Sequence, residues 1–254
     1  MFSNEHIQKM NHSLYPLSSK YDPQWIIDNQ MGSHCLWLTE ALVKGVDLKP
    51  DMRVLDLGCG KALSSVFLAK EFNVQVWAYD LWVSANENHR RIIEAGAEKS
   101  VFPLKGNALE MPFADEFFDA VISINSIWSY GTGEDFVDKH LARVVKPGGQ
   151  IGVVIPGMFN ELSEPPEYLK PYWHTDFDSY HSPAWWRGLW EKATSINVDM
   201  IDAFENKEGV KIWRDFTQML KPDESEDIMN IDNGRNITFL RLLARKNKKE
   251  QNND

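Results

Sequence analysis

Val54-Leu-Asp-Leu-Gly-Cys-Gly-Lys-Ala-Leu-Ser-Ser65 is the stretch that decides the fold. Residues 54–57 read as a short apolar strand carrying one acid, Asp56. Gly58 and Gly60 then let the backbone turn sharply and approach a ligand closely. A helix is expected over about 62–72, with Leu63, Val66, Phe67 and Ala69 inward at helical spacing. Free N–H groups at the start of such a helix, beside a glycine turn at the carboxyl end of a strand, make a nucleotide-type site. The dinucleotide fingerprint is not met, because its last glycine falls on Leu63. The Gly-Lys-Ser/Thr of a P-loop is also absent.

Working outward, Val74 to Tyr79 reads as a second strand. Ser84-Ala-Asn-Glu87 is a capping box opening a helix that Gly96 closes. Val101 to Lys105 fits a third strand, although Pro103 stands inside it. Ala120 to Ile124 reads as a fourth strand buried on both faces, Glu134 to Val145 as a helix, Pro147-Gly-Gly as a turn and Ile151 to Ile155 as a fifth strand. Strands alternating with helices imply a parallel sheet covered on both faces, with right-handed crossovers. From Pro156 to about residue 192 the rhythm breaks into a proline- and tryptophan-rich insertion after the fifth strand. It resumes with a strand over 197–204, a helix over 210–220 and a last strand over 237–244. The first fifty residues form a helical preface, clearest from Cys35 to Lys44; the basic end, Arg245 to Lys249, reads as solvated and mobile and leads into a tail over 246–254. The expected division is a single domain: preface 1–50, core 51–155, insertion 156–192 and C-terminal strands and helix 193–245.

The totals bound the function. With 254 residues, 43% hydrophobic and 25% charged, the composition is that of an ordinary globular domain. A net charge of −10 repels phosphate backbones, which argues against nucleic acid as a partner. No apolar run is long enough for a transmembrane helix, and the N-terminus lacks the apolar region of a secretory signal. Cys35 and Cys59 fit neither a disulfide framework nor a zinc pattern. A cytoplasmic protein with no membrane partner and no metal is the expectation.

Asp56-Leu-Gly-Cys-Gly resembles the first motif of the class I, Rossmann-like S-adenosylmethionine-dependent methyltransferases. Asp80 at the end of the second strand, Gly106-Asn-Ala, Met111-Pro-Phe-Ala-Asp-Glu-Phe-Phe-Asp119 and Leu141-Ala-Arg-Val-Val-Lys-Pro-Gly-Gly149 are similar to the motifs that follow it, so the likeness covers roughly residues 50–155. Ala62 stands where a third glycine is common, and Asn107 where an aspartate is. The resemblance implies a doubly wound, mostly parallel seven-stranded α/β sheet with an antiparallel last strand. It also implies S-adenosylmethionine as cofactor, S-adenosylhomocysteine as product, and a division of roles. Gly58, Cys59 and Gly60 would approach the methionine part, with Asp56 facing its ammonium directly or through water. Asp80 would take the ribose hydroxyls, Leu81 and Trp82 would lie beside the adenine, and Asn107 and Ala108 would meet its edge. Ile124 and Asn125 would line the site near the sulfonium.

Methyl transfer is an in-line displacement in which the protein mainly orients the partners, so a fixed catalytic residue need not exist. A small-molecule acceptor is expected, held between preface and insertion by residues among Tyr21, Trp25, His34, Trp128, Tyr130, Tyr168, Trp173 and His181. His174 and Asp176 could serve as a base and its neighbour, or simply as surface loop residues. The tryptophans could contact the acceptor or pack a lid, and His34 could reach the cofactor or start a helix. Two other readings stand beside this one: carbon methylation or cyclopropanation of a lipid-like acceptor, and a non-catalytic binding module on the same fold. No Asn-Pro-Pro-Tyr tetrapeptide follows the fourth strand, where Asn125-Ser-Ile-Trp stands instead.

Overall fold

Apolar side chains alternate between the two faces of the central strands, and each face is covered. The computed structural model describes residues 10, 12–205, 208–220 and 228–248. Its strands are β1 (Arg53–Leu57), β2 (Gln75–Asp80), β3 (Val101–Lys105), β4 (Phe118–Ile124), β5 (Val145–Met158), β6 (Ile196–Ala203) and β7 (Ile237–Lys246). They form one seven-stranded sheet in the order β3-β2-β1-β4-β5-β7-β6. Strands β1 to β5 run parallel, and β7 is antiparallel to both of its neighbours. This is the α/β fold expected above. On one face Val54, Val76, Ile122 and Val154 meet the preface; on the other Leu55, Val121, Val153 and Leu242 meet the insertion.

The helices are α1 (Pro23–Asn29), α2 (Cys35–Val43), α3 (Leu63–Phe72), α4 (Ala85–Glu94), α5 (Pro183–Trp190), α6 (Glu208–Leu220) and α7 (Ile228–Asp232). The Asp22 side chain caps α1 by accepting from Gln24 N and Trp25 N, with Pro23 at the first helical position. Helix α2 is buried almost all round between the preface and the sheet. Pro103 is tolerated because β3 is an edge strand, paired only with β2.

Two expectations are corrected. The helix over 134–145 is instead a π-helical stretch at Val137–Leu141 and a 3-10 turn at Ala142–Val144. Val144 ends that turn buried, and the β-branched Val145, also buried, suits the extended chain that β5 begins there. Pro147-Gly-Gly is an irregularity inside β5 rather than a turn before it: Phe118 pairs with Val145, and Ala120 with Gln150. Trp186 and Trp190 of α5 are fully buried against β6, while Leu169, Phe177 and Tyr180 pack with Val210, Met229 and Ile237. Of the tail expected over 246–254, Lys246 ends β7 and its Nζ donates to Ala142 O at 2.8 Å; residues 249–254 lie outside the described residues. No helix among the described residues is long and apolar enough to cross a membrane.

Helix α4 shows how local sequence sets an end. Ser84 Oγ accepts from Glu87 N, the Glu87 carboxylate accepts from Ser84 N, and Gly96 follows at φ +63°. Ser84→Ala removes half of this box and is expected to lower the unfolding free energy by about 1 kcal/mol in urea titrations. An unchanged midpoint would show that the helix start is held by packing instead.

Candidate functional site

Strands β1, β2 and β4 end side by side, and the loops that leave them form one site. Gly58 N and Cys59 N both donate to Tyr79 O, at 2.8 and 3.2 Å, which folds the turn after β1 over the end of β2. Gly58 adopts φ +73°, and a Cβ there would collide with Ser126. Only glycine serves at this point. Gly60 N donates to Asp80 Oδ2 at 2.8 Å, while Trp82 N and Val83 N donate to Asp80 Oδ1 at 2.8 and 2.9 Å. One carboxylate thus fixes the glycine turn and the loop after β2 together. Ala62, where the third glycine is common, also adopts a left-handed conformation at φ +63°. That costs an alanine roughly 1–2 kcal/mol.

The loop between α1 and α2 closes the other side. Gln30 Nε2 donates to the carbonyls of Met31, Gly32 and Ser33, and its Oε1 accepts from Cys35 N at 3.3 Å. Lys61 Nζ reaches from the glycine turn to Asp28 O at 3.0 Å. A Cβ on Gly32 would lie 2.9 Å from the Asn125 amide, so this loop rests directly on the end of β4.

These pieces enclose a cavity of about 300 Å³. Its wall includes Gly58, Cys59, Gly60, Asp80, Leu81, Trp82, Asn107, Ala108, Ile124 and Asn125, all singled out in the sequence, together with Tyr130. It also includes Asn29, Met31, Gly32, Ser33, Cys35, Lys61, Ser64, Ser126 and Ser129, which sequence reasoning passed over. The only pointer to the preface members was a glycine-serine pair just ahead of α2.

Asp56 does not form part of the wall. It is fully buried beneath the turn, where Oδ2 accepts from Ser64 Oγ at 2.6 Å and Ser65 Oγ at 2.5 Å, and Oδ1 has no partner. Ser64 stands between it and the cavity. Burial pushes the Asp56 carboxyl up to about 6, with the Asp80 charge adding to the rise and the two serines opposing it. The Cys35 and Cys59 thiols, buried near the same carboxylate, are pushed up as well and stay protonated.

The other acceptor candidates are scattered. Tyr21 packs on Trp25 and Phe67 and donates to Glu71 at 3.2 Å. His34 is fully buried, stacked on Trp37 at 4.0 Å, with Nδ1 accepting from Trp37 N; burial pushes it down to about 3, so it stays neutral and caps α2. Trp128 donates to Asn125 O and meets Tyr180 edge-on, behind the wall. Tyr168 donates to Asp232, Trp173 to Asp178, and His181 stacks on Trp185. His174 and Asp176 are mostly exposed, with side chains 69% and 57% accessible, and His174 Nδ1 accepts from Asp176 N in a local turn. None of the insertion's residues lines the cavity. Among the described residues no cluster of histidine, cysteine or acidic side chains could hold a metal ion.

Comparison with known proteins agrees with this geometry. Residues 54–149 match the family model described as a methyltransferase domain. The chain is 35% identical over 111 residues to a demethylmenaquinone methyltransferase of Corynebacterium glutamicum, an overlap of 42% of this chain and 43% of that one. It is 33% identical over 144 residues to the tocopherol O-methyltransferase of Arabidopsis thaliana, 52% of this chain and 39% of the relative. The chain therefore spans less than half the length of these curated relatives. Among solved structures, the geranyl diphosphate C-methyltransferase of Streptomyces coelicolor superposes with a TM-score of 0.68 at 16% identity, over 96% of this chain and 88% of that one.

The buried carboxyl gives a pH signature. Between about pH 4 and 6 the folded chain holds a proton at Asp56 that the unfolded chain, with the ordinary value of 3.8, has released. Stability contributed by this group therefore falls as pH rises through that window, by an amount of order 3 kcal/mol. Asp56→Asn is expected to flatten this part of the curve in urea unfolding measured at several pH values. A constant difference between variant and wild type across the window would contradict the burial described.

Proposed function

We propose that this chain, whose residues 54–149 match a methyltransferase domain model, belongs to the class I, Rossmann-like S-adenosylmethionine-dependent methyltransferases, binds S-adenosylmethionine and passes its methyl group to a small-molecule acceptor. The observation that carries the proposal is Asp80. It sits at the carboxyl end of β2, holds the glycine turn in place, and still lines the cavity. The cavity also fits the cofactor at its glycine cradle, which a Cβ at Gly58 would fill.

When bound, the sulfonium supplies an activated methyl group that a nucleophile displaces in line. The chain's own residues bind and orient. A carboxylate offers roughly four acceptor sites, so Asp80, which holds three backbone N–H groups, keeps one for a ribose hydroxyl. Asn107 Oδ1 accepts from Leu109 N at 3.0 Å, which fixes the amide beside the adenine position. Trp82, 74% exposed at the mouth, offers a ring face there. Asp56 and Asp80 make this end of the cavity electronegative, which suits a cationic ligand.

The acceptor side belongs to the preface loop and the end of β4. Asn29, Ser33, Asn125, Ser129 and Tyr130 line it, a neutral polar surface suited to an uncharged acceptor. His174 and Asp176 lie exposed and outside the wall. The reaction therefore runs by alignment of an acceptor that needs no protein base. The relatives named above act on tocopherol and demethylmenaquinone, which supports a small organic acceptor. The acidic surface speaks against nucleic acid, and two free cysteines suit a reducing compartment such as the cytoplasm.

Isothermal titration with S-adenosylhomocysteine tests the reading. Wild type is expected to bind at micromolar concentration, and Asp80→Ala to lose at least about thirtyfold, the worth of one hydrogen bond to a charged group. Formation of S-adenosylhomocysteine on adding small acceptors then separates an enzyme from a binding module. Folded wild type that does not bind would overturn the proposal.

A further inference from the structure

Three hydroxyls meet where the end of β4 passes under the glycine turn. Ser123 Oγ and Ser126 Oγ donate to the carbonyl of Leu57, the last residue of β1, at 2.9 and 3.0 Å. Ser126 Oγ also lies 2.9 Å from the Tyr130 hydroxyl. Ser123 Oγ and Ser126 Oγ also lie 2.9 Å apart, so three hydroxyl hydrogens serve four contacts, and the most contacts are filled when Tyr130, whose one partner in this network is Ser126, gives its hydrogen to Ser126. Burial pushes the Tyr130 phenol above its ordinary value, so it keeps that hydrogen. Tyr130 nonetheless lines the cavity. What it presents there is an oxygen whose hydrogen points away. Ser64 repeats the arrangement at the neighbouring part of the wall, its hydrogen given to Asp56.

The position of this oxygen matters. A Cβ on Gly58 would come within 3.4 Å of it, so it lies directly beneath the first glycine of the turn. The cofactor's covalent order is adenine, ribose, sulfur, amino acid. With adenine at Asn107 and Ala108, ribose at Asp80 and the amino-acid group toward Ser64 and Asp56, the sulfur falls at Gly58 and Tyr130.

We propose that Tyr130 is a specificity-determining residue, which makes the cavity prefer the positively charged sulfonium of S-adenosylmethionine to the neutral thioether of S-adenosylhomocysteine. The inference rests on the cofactor reading above and adds to it a discrimination between substrate and product. An oxygen lone pair attracts a cationic sulfur and the polarised C–H groups around it, but faces the lone pairs of a neutral sulfur. Loss of the methyl group therefore weakens binding at this point, which favours release of the product.

The test is isothermal titration of the whole chain with each of the two ligands, without acceptor, on wild type and Tyr130→Phe, with thermal melts as the check on folding. The phenylalanine retains the edge-on ring contact with Phe136 at 5.7 Å and removes only the oxygen. Tyr130→Phe is expected to lose about tenfold in affinity for S-adenosylmethionine and to stay within about twofold for S-adenosylhomocysteine. Ser126→Ala frees the Tyr130 hydrogen to turn into the cavity, and is expected to shift the ratio the same way while the tyrosine remains. This second variant covers the case in which the first fails to fold. Equal losses for both ligands, or an unchanged ratio in both variants, would overturn the inference. If Asp80→Ala still abolishes binding in that case, the cofactor reading survives alone; if neither ligand binds folded wild type, both fall.

Discussion

Three backbone N–H groups from two separate loops converge on the carboxylate of Asp80, and the site depends on that convergence. The loop after β1 would otherwise be free to swing, since glycines at 58 and 60 impose little conformation of their own. Tied to the end of β2, it becomes a rigid cradle. Asp80 is nearly buried at 7% exposure, so these bonds form in a setting where charge-assisted contacts are strong. The sheet supplies the framework: parallel register places the ends of β1, β2 and β4 level with one another, and the turn only has to bridge neighbours.

The site carries costs that the rest of the molecule offsets. Asp56 is a buried carboxylate with two serine partners and no cation. Ala62 and Asn125 hold left-handed backbone conformations. The Ser33 hydroxyl is buried without a partner. Each of these opposes folding, and all lie within a few residues of the cavity wall. Strain gathered at one place while the surrounding faces pack Val, Ile and Leu cleanly is what a binding site held by its scaffold looks like. The two apolar faces of the sheet supply the compensating burial, with Trp37 and Phe67 on one side and Trp186 and Trp190 on the other fully or almost fully buried.

The sheet was largely legible in the sequence because short apolar runs between turn residues have few other uses. Even β3 was legible with Pro103 in it, since an edge strand does not need that N–H on its outer side. The apolar spacing of 134–145 suits a helix, whereas Val145 pairs with Phe118 in the sheet and the turns before it tighten to meet that strand. Helix α1 went unnoticed although Asp22-Pro23 is a plain start signal; the helix is short and its apolar face small. Within the site, residues on the strand ends could be named because strand order places them. The preface loop could not, because nothing local in Met31-Gly-Ser reports that Gln30 folds the loop around itself and sets it on Asn125.

That asymmetry bears on where the proposed acceptor would be selected. The insertion looked like the natural lid: long, aromatic and punctuated by proline. In the structure its tryptophans are spent on packing, Trp186 and Trp190 against β6 and Trp173 within its own turn. A large aromatic side chain buried in a core brings stability and little freedom to meet a ligand. The preface loop is the reverse case. It is small, polar, and held by a single glutamine side chain and one lysine-to-carbonyl bond, so a few substitutions there reshape the wall without disturbing the sheet. On the proposed function, a fold with its cofactor cradle on strand ends and its acceptor wall on such a loop can change acceptors while leaving the cradle intact.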